Sequence, residues 1–212
     1  MNTVLLALII VNVLFSYKGF NDLSFFRKYE FHVGSIKAGE QIRMITSGFL
    51  HADMVHLFFN MFTLWMFAPV VLGQLGNFSF LLIYFGSLIF GSLLTMVFHN
   101  NDYGYRAVGA SGAVTGVLYS AILLQPDMML GIFFIIPMPA YIFGILYLLY
   151  SIYGMRAKND NIGHTAHFGG AVGGYLITLI KQPTMFVDNT MMVIVLAIPI
   201  VILFIMVKLG KL

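Results

Sequence analysis

The alternation of apolar runs and polar breaks divides the chain into seven candidate membrane spans. A span needs about 17–25 apolar residues, fewer where a helix starts below the membrane surface. The runs fall at about Thr3–Tyr17, Met54–Leu72, Phe78–Phe98, Ser111–Leu124, Ala140–Tyr153, Thr165–Ile180 and Met191–Val207. Gly73-Gln74-Leu75-Gly76-Asn77 predicts a tight turn between the second and third. Gln125-Pro126-Asp127 ends the fourth, because proline cannot continue a helix. Met128 to Pro139 is apolar, but Pro137 and Pro139 argue against a simple span.

One polar stretch does not fit a turn. Lys18 to Ser47 holds much of the chain's charge, punctuated by Phe25, Phe26, Tyr29, Phe31, Ile36 and Ile42. This pattern predicts short amphipathic helices in the interface. The fourth run is the shortest. Its length covers about 20 Å against about 30 Å of hydrocarbon. If its far end reaches the opposite surface, Ser111 lies about 10 Å below its own.

Composition agrees with a chain built in lipid. Of 212 residues, 60% are hydrophobic and 9% charged, where a soluble domain carries about 25% charged. The sequence therefore predicts an all-α polytopic membrane protein with no separate soluble domain. Met1 to Phe15 lacks a basic n-region and a small-residue cleavage site, and is expected to stay as the first span. Cysteine is absent, which excludes disulfides and thiolate chemistry. The net charge of +3 is spread over loops, with no basic stripe for nucleic acid.

Candidate chemistry sits at three places. Gly109-Ala110-Ser111-Gly112 leads into the fourth span, so Ser111 falls at the first turn of a helix, where unpaired N–H groups favour negative charge. Gly112 and Gly116 form a small-residue pair, and Gly170 and Gly174 repeat that spacing in the sixth span, as do Gly169 and Gly173. Two such faces allow close helix approach, which would bring His167 near Ser111. A histidine beside a serine is the minimum for nucleophilic catalysis. In the second span, His56 and Asn60 are four apart and share a face. Both side chains can donate hydrogen bonds, as an oxyanion hole needs. Taken singly, each of these features also fits plain interhelical hydrogen bonding. Metal ligation is the rival use of His164, His167, His51 and His56, but the HExxH pattern is absent and acidic neighbours are sparse. Asp53 reads as a helix N-terminal residue. No metal and no cofactor are expected.

His-x-x-x-Asn at His56 and Asn60, Gly-Ala-Ser-Gly at Ser111, and Ala-His-x-x-Gly-x-x-x-Gly from Ala166 to Gly174 follow one another on separate spans. This order resembles the rhomboid intramembrane serine proteases, over about Arg43 to Lys181. The resemblance implies a six-helix catalytic core over 1–183, a first large loop at 18–47 and an added seventh transmembrane helix over 184–212. It implies Ser111 as nucleophile and His167 as general base. His56, Asn60 and the Ser111 backbone N–H would form the oxyanion hole. The substrates would be transmembrane segments of other proteins in the lipid bilayer, with helix five and the 154–163 loop moving to admit them. Two positions depart from the family pattern. Ile42 replaces the tryptophan of a Trp-Arg pair at Arg43, and Thr115 stands where an aromatic residue often stacks on the catalytic histidine.

A rhomboid-like protein that binds clients without cutting them, and a small proton-coupled transporter, are the alternatives. The resemblance also suggests a bacterial inner membrane and an outward-facing site. That orientation leaves Lys181 as the one basic side chain on the cytoplasmic face, with Lys158 and the others outside. The positive-inside rule points the other way.

Overall fold

The first helix begins where Asn2 turns its side-chain oxygen onto the N–H groups of Val4 and Leu5. A computed structural model describes residues 1–132, 136–157, 159 and 162–212. Helix α1 (Thr3–Asn21) ends at Asp22, which caps α2 (Leu23–Tyr29) by accepting from the Phe25 N–H. Strand β1 (Phe31–His32), α3 (Val33–Lys37), α4 (Arg43–Thr46) and a single 3₁₀ turn (Ser47–Phe49) complete the first loop.

Short helices do fill 18–47, but their order comes from polar anchors that an amphipathic pattern does not reveal. The buried Arg43 guanidinium donates to the carbonyls of Arg27 at 2.7 Å and Glu30 at 3.0 Å, and pairs with Glu40. The Glu30 carboxylate meets Arg27 and Arg106. Strand β1 pairs antiparallel with β2 (Arg106–Ala107), Phe31 opposite Ala107. The loop is thereby stitched to the segment that delivers Ser111.

Helix α5 (Met54–Phe98) starts at Asp53, whose carboxylate accepts the His56 N–H at 2.7 Å. The expected five-residue turn at 73–77 shrinks to one residue. Gly76 adopts φ 76°, ψ 175°, a left-handed backbone that suits glycine, and the helix resumes at once. The expected second and third spans are thus two arms, 54–75 and 77–98. Helix α6 (Ser111–Leu124) has the expected bounds, and every residue from Gly112 to Leu124 is buried. In the proline-containing run, β3 (Met129–Ile132) pairs antiparallel with β4 (Ile136–Pro139), with Met129 opposite Pro139.

Helix α7 (Ala140–Ala157) continues four residues past its expected end. The polar loop expected from Gly154 therefore starts later, and its Lys158, Asp160 and Asn161 lie outside the described residues. Helix α8 (His164–Lys181), α9 (Met185–Asp188) and α10 (Thr190–Lys208) follow. Among the described residues, α1, α5, α7 and α10 are long and apolar enough to cross a membrane, and α5 has twice the needed length.

Helix α8 lies between α6 and the second arm of α5, and its glycines explain how. A Cβ on Gly170 would sit 1.9 Å from the Gly112 oxygen, and one on Gly174 would sit 2.1 Å from the Gly116 oxygen. On the adjoining face, a Cβ on Gly169 would lie 2.6 Å from the Phe90 oxygen, and one on Gly173 3.0 Å from the Ser87 Cα. Backbone meets backbone on both sides, the approach that small residues permit. Two tyrosines fasten α10. Tyr119 donates to the Leu196 carbonyl at 3.2 Å and Tyr175 to that of Val193 at 2.7 Å. Buried hydroxyls usually find such partners.

Candidate active site

Ser111 opens α6 after a loop held from three sides. Gly109 has φ +128°, where side chains are strained. A Cβ there would also lie 2.8 Å from both Cε1 and Nε2 of His56, and 3.6 Å from the Ser111 Oγ. The Gly109 N–H donates to the Ser47 carbonyl at 3.0 Å, and the Ala110 N–H to His51 Nε2 at 3.4 Å.

The chemistry of His51 follows from its partners. Its Nδ1 is 2.8 Å from the Ser16 Oγ, and the Ser16 hydroxyl donates to the Phe49 carbonyl at 3.0 Å. With that proton committed, the ring must donate from Nδ1 and accept at Nε2. Burial, reinforced by the neighbouring His56, pulls the His51 pKa down to about 3. His51 is thus a neutral strut running from α1 to the residue before Ser111. Sequence reading weighed it only as a metal ligand.

His56 Nδ1 accepts from the Ala52 N–H at 3.4 Å. The proton therefore sits on Nε2, the nitrogen that lies against Gly109. Asn60 donates one amide hydrogen to the His56 carbonyl at 2.9 Å, which leaves its second for other use. On α8, His167 meets Tyr147 of α7. The Tyr147 Oη is 2.9 Å from Nδ1, and the two rings lie 6.0 Å apart at 22°. Tyr147 in turn reaches the Thr115 Oγ1 at 3.2 Å. Sequence reading missed Tyr147. It is one of four tyrosines in its helix, and no spacing marks it out.

His56, Asn60, Ser111 and His167 line a single cavity of about 650 Å³, with Gly109 and Gly112 in its wall. Gly112, Gly116, Gly170 and Gly174 lie at the crossing of α6 and α8 behind it. The cavity is partly polar, with Asp53, Arg106, Thr95 and Ser47 also facing it. The arrangement offers a hydroxyl at a helix N-terminus, an imidazole across from it, and N–H donors beside it.

The family model for the Rhomboid domain matches residues 38–184. The chain belongs to the rhomboid family. It is 36% identical over 144 residues to the putative rhomboid protease YdcA of Bacillus subtilis, covering 67% of this chain and 68% of that protein. It is 30% identical over 185 residues to the mitochondrial RHOMBOID-like protein 12 of Arabidopsis thaliana, covering 79% of this chain and 55% of that protein. It is 33% identical over 140 residues to the rhomboid protease GluP of Bacillus subtilis, covering 66% of this chain but 26% of that protein. The chain thus spans about half the length of the Arabidopsis relative and a quarter of GluP. Family membership and the apolar helices make this a multi-pass, all-α rhomboid membrane protein.

Proposed function

We propose that this rhomboid protein is a serine endopeptidase that cuts peptide bonds in or near transmembrane segments of other membrane proteins. The observation that carries this reading is the cavity shared by Ser111, His167, His56 and Asn60. The Ser111 Oγ attacks the scissile carbonyl while His167 takes its proton, then returns it to the leaving amine. Water repeats the attack on the acyl-enzyme through the same base. The tetrahedral oxyanion is held by the Ser111 N–H, the His56 Nε2–H and the Asn60 amide, donors already fixed before reaction. Ser111 and His167 act as a dyad, and no step calls for a cofactor. A six-helix core over 1–183 with a further helix over 184–212 fits this reading, as does a bacterial cell membrane, supported by the two Bacillus subtilis relatives.

The test is fluorophosphonate labelling of the purified protein, paired with cleavage of a transmembrane reporter in liposomes. Wild type labels and cleaves, and Ser111→Ala and His167→Ala do neither. Labelling that persists in Ser111→Ala refutes the proposal. A well-folded wild type that neither labels nor cleaves favours client binding without proteolysis.

A further inference from the structure

We propose that Tyr147 is the residue that positions His167, and that Thr115 is the acceptor that makes it do so. The assignment rests on the protease reading. A neutral imidazole carries one N–H and one bare nitrogen. To take the Ser111 proton at Nε2, His167 must hold its own proton on Nδ1. That Nδ1 is 2.9 Å from the Tyr147 hydroxyl. A tyrosine hydroxyl can donate as well as accept. If Tyr147 donated to Nδ1, the ring proton would be driven to Nε2, and His167 would face Ser111 as a donor, unable to act as base.

Thr115 offers Tyr147 an acceptor of its own. Its Oγ1 lies 3.2 Å from the same hydroxyl, a bond that either oxygen can donate, and in the proposed relay Tyr147 is the donor. Tyr147 is then left with lone pairs toward His167 and can only accept. The chain of donors runs from His167 Nδ1–H to Tyr147 Oη, and from Tyr147 Oη–H to Thr115 Oγ1. It joins three helices, α8, α7 and α6, and ends one turn below Ser111 on Ser111's own helix. The near-parallel Tyr147 ring, at 22°, also limits rotation of the imidazole. When His167 becomes an imidazolium during attack, its Nδ1–H already has an acceptor, so no group has to reorient. A tyrosine from α7 thus performs the orienting task, and residue 115 is free to be the small hydroxyl that the relay needs.

The experiment combines fluorophosphonate labelling rates with ¹⁵N NMR of histidine-labelled protein. His167 signals are assigned by their loss in His167→Gln. In wild type, the His167 nitrogens are expected to show a protonated Nδ1 and a bare Nε2. Tyr147→Phe keeps the ring but loses the hydroxyl. Thr115→Val keeps the volume but loses the acceptor. Both are expected to label about 10–100-fold more slowly, the cost known for removing a partner that orients a metal-bound imidazole and carried over to this one. Thr115→Val is also expected to move the His167 proton toward Nε2, which a packing defect would not do. Thr115→Ser restores the acceptor and is expected to label within about threefold of wild type. Wild-type spectra with the proton on Nε2 overturn the assignment, whether or not Tyr147→Phe folds. So does wild-type labelling in both Tyr147→Phe and Thr115→Val. If labelling instead survives Ser111→Ala, the protease reading itself has failed and the assignment falls with it.

Discussion

Gly170→Ala tests whether the glycine crossing of α6 and α8 sets the spacing of the proposed Ser111–His167 dyad. The new methyl would lie 1.9 Å from the Gly112 oxygen, 2.7 Å from its carbonyl carbon and 3.0 Å from its Cα. All three are backbone atoms, so no rotamer change relieves them. Ordinary contact begins near 3.4 Å, so the two helices must part by about 1.5 Å at this level. Gly112 adjoins Ser111, and His167 lies one turn before Gly170, so the displacement reaches the reacting groups nearly undiminished. A 1 Å misplacement of reacting groups costs about 100-fold in rate, and overpacking costs about 1–3 kcal/mol of stability. Gly170→Ala is therefore expected to label at least about 100-fold more slowly with fluorophosphonate and to melt earlier in detergent. Gly73→Ala is the control. Its methyl meets nothing within 4 Å, and alanine favours helix over glycine by up to about 1 kcal/mol. A Gly170→Ala protein with wild-type melting and wild-type labelling would refute the reasoning.

Four further outcomes are expected. His51 is neutral when folded and holds its pKa near 3, whereas unfolded histidine titrates near 6.5. Between those values the unfolded chain binds the extra proton. Stability from His51 is therefore complete above about pH 6.5 and falls on acidification, by up to about 1.4 kcal/mol per pH unit. Melting curves across pH should show a shallower acid limb in His51→Gln than in wild type. Arg43→Ala strips donors from the Arg27 and Glu30 carbonyls in a buried site and should cost about 2–4 kcal/mol by denaturation. Arg106→Ala, whose side chain is 42% exposed, should cost under about 1 kcal/mol in the same assay, because Glu30 keeps Arg27. Asn60→Ala should lower the reporter cleavage rate by about 10²–10³-fold while leaving melting nearly unchanged, the signature of a lost oxyanion donor.

Features set by local backbone chemistry or by glycine spacing were legible in the sequence. The bounds of α6 follow from Gly109–Gly112 at one end and Gln125-Pro126 at the other, because backbone chemistry fixes both. The facing glycines of α6 and α8 were visible as spacing alone. Asp53 was legible as a helix start because capping is a local rule. Other features depended on neighbours that no window contains. Nothing in Gly73–Asn77 singles out Gly76 as the one residue that leaves helical geometry. The pairing of Phe31–His32 with Arg106–Ala107 joins segments far apart in the chain, and two-residue strands have no period to read. The extra turn of α7 through Arg156 runs against local polarity. Tyr147 looked like any lipid-side aromatic until α6 and α8 placed Thr115 and His167 on either side of its hydroxyl.

Helix α6 is enclosed by protein along its whole length after Ser111. A helix with no lipid-facing side has no reason to tilt, sink or stretch when the bilayer around it thins or thickens. Hydrophobic mismatch acts on the outer helices, above all α1 and α10, whose exposed rows of Leu, Val, Ile and Phe meet the acyl chains. Those helices can shift to suit a new membrane while the depth of Ser111 relative to His56 and His167 stays set by glycine contacts. The proposed reaction centre thus sits on an internal ruler. Membrane thickness should govern which segment of a client is presented, rather than how the serine is held.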